Sequence, residues 1–399
     1  MDAFFASVEL LRYPQLKGLP VVIGGGRRRE DDLLARLREL YPDQDWSSTT
    51  LDQIPIDAFP RLSGYTGRGV ATTATYAARQ FGVGSAIGLM KAAKLCPHAI
   101  LLPVDFDEVR RVSRVFKNTI IAIAPVMEDR GIDEVYIDLT DVPGSDEDGG
   151  RVIARLIQQR IFAATGLTCS IGIAPNKLLA KLASEFEKPN GISLVTLDDL
   201  PTRVWPLPCR KVNGIGPRTD ERLQAQGLLT VGDVAARDRD WLIEHFGNSY
   251  GAWLHDASWG RDERPVVTES EPVSFSRETT FERDLHAVRD RAELGGIFTQ
   301  LCEQLAADLQ RKGYVGRTIG IKLRFDNFKA VTRDTTIDTP TADAPVIRRQ
   351  AGLNLKRVDL TRRIRLLGVR VGKLERVGEA GTPHDAPETA ASPLFSEPG

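Results

Sequence analysis

Short apolar runs alternate with stretches of helical periodicity through the first half of the chain, and glycine and proline mark the breaks between them. Pro20-Val21-Val22-Ile23 reads as a buried strand that enters a turn at Gly24-Gly25-Gly26. A strand at 70–73 feeds a helix near 76–81, and a third apolar run occupies 99–104. Between the first two strands lies segment 27–67, which starts at Arg27-Arg28-Arg29 and continues as a short amphipathic helix carrying Leu33, Leu34, Leu37 and Leu40. It becomes loop-like at Pro42, Pro55 and Pro60, and the whole segment reads as an insertion. Helical periodicity returns at 108–124 and again at 151–165, just before a strand at 167–173. Segment 126–139 holds two extended runs divided at Arg130-Gly131, the pattern of an antiparallel hairpin. The pattern predicts an α+β fold with helices packed on an antiparallel sheet.

Further along, 197–262 is helical and short-turned, and a polar connector follows at 263–272. The runs 317–325 and 364–371 alternate apolar with basic or small residues, so each strand buries one face and offers positive charge on the other. From about 375 the chain is rich in Pro, Ala, Glu and Thr, a composition that predicts disorder.

A length of 399 residues exceeds what one hydrophobic core organises and predicts several domains. Hydrophobic residues at 42% and charged residues at 27% exclude a fibrous, coiled-coil or fully disordered chain. No apolar run approaches the ~18 residues of a membrane span, and the amino terminus lacks the order of a secretory signal, so a cytoplasmic protein is expected. Cys96, Cys169, Cys209 and Cys302 form no C-x-x-C pair and read as buried thiols. The formal charge of −1 hides an asymmetry: residues 273–372 hold 19 Lys or Arg against 12 Asp or Glu. That segment is either a nucleic-acid surface or a face kept soluble by its charge.

Five groups of residues can carry chemistry. Asp133 and Glu134 follow Gly131 at the hairpin tip and precede an apolar strand, where two carboxylates are costly without a compensating cation. Hard oxygen donors of this kind suit Mg²⁺; the alternative is a solvated strand end. At ~100° per residue a helix through 177–188 aligns Lys177, Lys181 and Lys188, which gives either a phosphate rail or a solvated basic face. Thr73 to Arg79 places Tyr76 and Arg79 three apart at a helix start that favours an anion, or is simply a capped helix with an exposed arginine. Phe4 and Phe5 are either core or contact residues. Gly214-Ile215-Gly216 precedes a helix and lets backbone amides approach a phosphate, or makes a plain helix-helix turn.

Taken together, five motifs resemble the Y-family, translesion DNA polymerases, and most closely the bacterial DNA polymerase IV group, from residue 1 to about 373. They are Met1-Asp2-Ala3-Phe4-Phe5-Ala6-Ser7-Val8-Glu9, Ala74-Thr75-Tyr76-Ala77-Ala78-Arg79, Asp133-Glu134-Val135-Tyr136-Ile137-Asp138, Lys188-Pro189-Asn190-Gly191 and Asn213-Gly214-Ile215-Gly216. The resemblance implies a right-hand polymerase: a ferredoxin-like palm (1–5 and 105–195), small fingers (6–104, with the 27–67 insertion) and a helical thumb with a helix-hairpin-helix (196–262). A linker (263–272), a carboxy-terminal α/β little finger (273–373) and a disordered tail (374–399) follow.

By the same resemblance Asp133 is a metal ligand, Glu134 the adjacent catalytic carboxylate, and the cofactor two Mg²⁺ ions. Phe4, Phe5, Thr73, Tyr76, Arg79 and Lys188 meet the nucleotide, with Phe5 as the steric gate against a 2′-hydroxyl. Lys177, Lys181, Gly214, Ile215, Gly216, Arg324 and Arg333 meet the DNA. The implied partners are primer-template DNA, dNTPs and the sliding clamp, the last through Leu394 and Phe395. The implied state is a monomer with no membrane, and the implied activity is error-prone synthesis without proofreading.

Three departures from the family pattern stand out. Met1 occupies the middle of the family's Asp-x-Asp, so Asp2 matches the second aspartate and the first, a metal ligand, is missing. The expectation is a truncated gene model whose lost residues also complete a first strand; the alternative is a catalytically impaired, DNA-binding or clamp-associated relative. The others are segment 27–67 and Gly131, where the family often has serine. In the tail, the glutamine expected ahead of Leu394-Phe395 is absent.

Overall fold

The computed structural model describes residues 1–27, 30–44, 46 and 50–378, and in it the chain separates into two units, Met1–Glu269 and Ser270 onward. The first unit begins with α1 (Phe4–Arg12), β1 (Val21–Arg27), α2 (Glu30–Leu40), β2 (Ala71–Ala74), α3 (Tyr76–Arg79), α4 (Leu89–Leu95) and β3 (Ile100–Val104). It continues with α5 (Phe106–Ile121), β4 (Met127–Asp129), β5 (Val135–Ile137), α6 (Arg151–Thr165), β6 (Ile171–Ile173), α7 (Lys177–Ala183) and β7 (Ile192–Leu194). Helices α8 (Pro217–Ala225), α9 (Val231–Ala235), α10 (Arg239–Phe246) and α11 (Asn248–Ser258) close it.

The predicted hairpin forms: β4 and β5 pair antiparallel with Glu128 opposite Tyr136, and Gly131 at its tip adopts φ 141°. Beside it β6 and β7 pair in parallel, so the expected antiparallel sheet is instead two separate ladders. Helices α5 and α6 pack over them because each has one apolar face, made of Val109, Val112, Phe116 and Ile120 in α5 and Ile153, Ile157 and Ile161 in α6. Burying each of these side chains contributes about 1.5–3 kcal/mol. Asp105 caps α5 by accepting the Glu108 N–H at 3.1 Å.

In the preceding region β1 lies centrally, antiparallel to β2 and parallel to β3. The turn expected at Gly24 is absent, and β1 runs through the three glycines to Arg27. A Cβ at Gly24 would stand 2.7 Å from the Val70 carbonyl oxygen, so glycine here serves a close approach of strands rather than a turn. Segment 27–67 contains the expected helix but is no loose appendage. Leu37, Trp46, Ile54, Ala58 and Phe59 share a core with Val21, Ile23, Ile100 and Leu102. Residues 28 and 29 and the Leu34 side chain lie outside the described residues.

The second unit holds β8 (Ser274–Leu285), α12 (Arg291–Lys312), β9 (Tyr314–Phe325), β10 (Ala330–Thr341), α13 (Ala344–Leu355) and β11 (Ile364–Arg376). Its strands are ordered β10-β9-β11-β8, every pair antiparallel. Ile319, Ile321, Leu323 and Phe325 of β9 pack against Leu301, Leu305 and Leu309 of α12 and Ile347 of α13. One face of the sheet is therefore covered by helices, and the intervening positions project from the other. Residues 374–376, assigned to the tail by composition, are strand: Leu374 to Arg376 pair with Gly316 to Tyr314, and Leu374 packs on the core. Residues 379–399, with Leu394 and Phe395, lie outside the described residues. No helix among the described residues is long and apolar enough to cross a membrane.

Candidate active site

Asp133 and Glu134 leave the hairpin tip just ahead of β5 and line an open cavity of about 700 Å³ together with Lys181, Ser184 and Lys188. The edges of β5 and β6 both face this cavity. The first two residues bridge their bases: the Met1 ammonium donates to the Asp133 carbonyl at 2.8 Å, and the Asp2 N–H donates to the Thr168 carbonyl at 3.1 Å.

The three lysines do not form one rail. Helix α7 ends at Ala183, so Lys188 follows it on a separate segment. Lys177 is buried, and its Nζ donates to Glu128 Oε2 and to the Pro265 carbonyl, each at 2.7 Å. It fastens the hairpin to the connector and has no free face for DNA, which corrects its assignment. Lys181 instead turns to the site, 3.0 Å from Glu134 Oε1 and 3.6 Å from Glu185 Oε1. Lys188 lies 2.5 Å from the same Glu185 oxygen. Burial alone would lower the Lys181 pKa, but Glu134 and Glu185 outweigh it and raise it. Burial likewise pushes Glu185 up, and the two lysines reverse that and hold it below its ordinary value.

Arg79 and Tyr76 sit together, the guanidinium 4.8 Å from the ring centroid. Arg79 Nε donates to the Ala74 carbonyl at 3.1 Å and Nη2 to Thr73 Oγ1 at 3.4 Å. Thr73 is buried, so it positions Arg79 rather than facing a ligand. The expected helix 76–81 is only Tyr76–Arg79, and Thr75 Oγ1 takes its Ala78 N–H. The Tyr76 hydroxyl is buried without a hydrogen-bond partner among the described residues. Burial, then the nearby Asp2 charge, raises its pKa. An orphaned donor beside an exposed arginine is a site for an anionic ligand atom.

Phe4 is core: it is 1% exposed and stands edge-on to Phe116 at 6.0 Å, so it has no surface for a nucleotide. Phe5 is half-buried, edge-on to Phe106 at 6.2 Å, and keeps an exposed part. Asp2, matched to the second aspartate of the family's Asp-x-Asp, was given no contacts from the sequence. This buried carboxylate accepts from Ser170 Oγ at 2.7 Å and from the Asn190 N–H at 2.9 Å, tying the amino terminus to the Lys188 loop. Glu185 was given no role from the sequence, although its four-residue spacing from Lys181 and three-residue spacing from Lys188 is the signal that finds it.

The Asp133 carboxylate has no hydrogen bond or ion pair among the described residues, and no group of three or more candidate ligands forms there. Two adjacent carboxylates opening on a polar cavity still fit a hard divalent cation that takes its remaining ligands from water and substrate phosphates. They do not fit a closed protein cage.

Farther along the first unit, Gly214 adopts φ 109° against Trp253, and Tyr250 Oη donates to its carbonyl at 2.8 Å. Ile215 is buried in the core of α7–α11 and anchors the turn from inside, so only Gly214 and Gly216 stay exposed. In the second unit, Arg324 pairs with Ala330, and Lys322 with Thr332, on the open sheet face. Arg324 Nε is buried without a hydrogen-bond partner among the described residues. Arg333 instead pairs with Ile321, whose side chain faces the helices, so register places it on the opposite face from Arg324. The open face also holds Arg370, opposite Gly320 and Ser276.

The fold is that of a right-hand polymerase of the Y-family. A family model described as the impB/mucB/samB family matches residues 1–185, its C-terminal domain matches 272–383, and the IMS family HHH motif matches 198–228. The DNA polymerase IV of Methanoculleus marisnigri is 36% identical over 376 residues, 94% of this chain and 93% of that one. That of Streptomyces coelicolor is 35% identical over 94% of this chain and 70% of its own length. Among solved structures, a Y-family DNA polymerase chimera of Dbh and Dpo4 superposes with a TM-score of 0.75 at 23% identity, covering 93% of this chain and 96% of that one. The chain belongs to the impB/mucB/samB family of Y-family, DNA polymerase IV-like enzymes. Its activity is DNA-directed DNA synthesis of the translesion type, in a class that depends on divalent metal.

Proposed function

We propose that the cavity at Asp133 is where a primer end meets an incoming dNTP, with Asp133 and Glu134 holding two Mg²⁺ ions. When bound, these ions would lower the pKa of the primer 3′-hydroxyl and neutralise the triphosphate charge. The chain's own residues do the positioning. The Tyr76 hydroxyl donates to a phosphate oxygen, Arg79 pairs with the same group, and Lys188 exchanges Glu185 for phosphate. Phe5 packs against the sugar. The exposed Gly214 and Gly216 backbone and the open face carrying Lys322, Arg324 and Arg370 take up DNA phosphates, so binding is sequence-tolerant and salt-sensitive. Synthesis is error-prone and unproofread, the protein works as a cytoplasmic monomer, and its tail docks on the sliding clamp through Leu394 and Phe395. The domains run as the motifs imply: palm 1–5 and 105–195, fingers 6–104, thumb 196–262, linker 263–272, little finger from 273.

One observation carries this reading: the chain of contacts from Glu134 through Lys181 and Glu185 to Lys188, beside the orphaned Tyr76 hydroxyl. Asp133→Ala is expected to abolish Mg²⁺-dependent primer extension while leaving primer-template affinity within about twofold. Equal loss of both would reject the catalytic assignment. A second reading, a catalytically impaired DNA-binding relative, is favoured by the lack of a third carboxylate among the described residues. DNA binding without Mg²⁺-dependent extension, even when an extended segment ending in aspartate is placed ahead of Met1, would decide for it, whereas extension gained with that segment would decide for the polymerase.

A further inference from the structure

The turn joining β9 to β10 presents an aromatic ring at its tip. Phe328 is 62% exposed, yet its backbone is in the left-handed region at φ 66°, a conformation that strains a residue bearing a side chain. The turn itself is well tied. The Phe328 N–H donates to the Phe325 carbonyl at 2.9 Å, and the Phe325 N–H to the Lys329 carbonyl at 3.0 Å. The Asp326 N–H reaches across to the Arg363 carbonyl at 3.0 Å, and the Asp326 carboxylate holds Arg362 at 2.8 Å. A rigid turn thus holds an apolar ring in solvent, in a conformation glycine would adopt without strain.

Basic residues gather at this turn. Arg365 places its guanidinium 4.6 Å from the Phe328 centroid, exposed Lys329 is the next residue of the turn, and exposed Arg362 and Arg363 lie on the segment that Asp326 holds. The Arg365 placement is built into the sheet. β11 loses its regular register between Ile364 and Leu366 against both neighbouring strands, and a bulge of this kind re-aims the side chain of the extra residue. An exposed aromatic face ringed by basic groups is the recognition element for an unpaired nucleobase: the ring stacks on the base and the cations take the flanking phosphates.

We propose that Phe328, with Arg365, Lys329, Arg362 and Arg363, is a stacking platform for single-stranded DNA. It rests on the reading that this unit binds DNA, and it adds a subsite that distinguishes unpaired from duplex nucleic acid. Stacking is indifferent to sequence, so the platform recognises any unpaired base.

The test uses the full chain and fluorescence anisotropy with labelled oligo(dT) and with a blunt duplex. Phe328→Ala is expected to weaken oligo(dT) binding about tenfold and to leave duplex binding within twofold, and Phe328→Trp to restore it. Phe328→Gly relieves the backbone strain, so it is expected to raise the thermal midpoint while weakening oligo(dT) to the same extent. Unchanged oligo(dT) affinity in Phe328→Ala, with duplex bound normally, overturns the platform alone. A lower thermal midpoint in Phe328→Gly also overturns it, because the ring would then be structural. Failure of the parent protein to bind either DNA overturns the underlying reading instead.

Discussion

Replacing Lys177 separates two roles that the sequence leaves open, a phosphate contact and a structural clasp. The side chains of Lys177 and Glu128 are 10% and 8% exposed, with Nζ 2.7 Å from the carboxylate. Glu128 also accepts the Val267 N–H at 3.0 Å, while Lys177 donates to the Pro265 carbonyl at 2.7 Å. The pair therefore holds the connector against the hairpin at two points. Lys177→Met keeps the apolar stem and leaves Glu128 buried with only Val267 and, at 3.4 Å, Arg130. Removing one partner of a buried pair costs about 3–5 kcal/mol, a large share of the 5–15 kcal/mol that holds a typical domain together.

In urea denaturation the midpoint should fall with little change in slope, and a glutamate-specific protease should cleave after the exposed Glu269 of the connector faster than in the parent. The double substitution Lys177→Met, Glu128→Leu should recover most of the loss, because no charge is then stranded. The pH dependence has a definite sign. Burial raises the Glu128 pKa, but the hydrogen bonds from Lys177 and Val267 outweigh it and hold it below the ordinary 4.5. The pair's contribution is thus present above about pH 4.5 and is lost as pH falls through the lower folded value, a loss that Lys177→Met should blunt. Destabilisation under about 1 kcal/mol, together with a primer-template affinity whose salt slope falls by about one, would refute the clasp and restore the phosphate contact.

Phe5→Ala should admit ribonucleotides at the expense of sugar selectivity; unchanged discrimination between dNTP and rNTP in single-nucleotide extension would remove Phe5 from that role. Glu9 is 2% exposed, and burial, opposed by Arg12, pushes its carboxyl up to about 7 from an ordinary 4.5. Its protonated form stabilises the fold fully below about pH 4.5, and that contribution disappears as pH rises through 7. Glu9→Gln should therefore flatten the stability profile between about pH 5 and 8 and gain up to about 3 kcal/mol at the alkaline end, whereas an unchanged slope would exclude Glu9 as its source. Gly214→Ala introduces a Cβ 2.7 Å from the Trp253 ring at φ 109°. It should cost about 1–3 kcal/mol and weaken primer-template binding, and a neutral thermal midpoint would contradict the strain.

What could be read ahead of the structure was whatever a local period encodes. Helix 151–165 was legible to its ends, since its apolar face and the following Gly166 are local signals. The hairpin at Arg130-Gly131 was equally legible. Gly24 to Gly26 were misread because glycine marks either a turn or a close neighbour, and Val70, which decides between them, lies far along the chain, just ahead of β2. Arg324 and Arg333 look equivalent in composition, yet antiparallel register sets one opposite Ala330 and the other opposite Ile321.

The same limit governs charge at the candidate site. A helical wheel gives the direction of Lys177 and Lys181 but not what each meets. Glu128 is 49 residues from the first, and the hairpin that carries it brings Glu134 to the second. Basicity is thus legible as a sum, while its use depends on tertiary pairing. The consequence is chemical: Lys181 holds Glu134, so a cation arriving there must displace an ammonium or share its carboxylate. Lys188 must likewise give up Glu185 to take a phosphate. Both exchanges turn on Glu185, the one member of the cluster that composition did not single out.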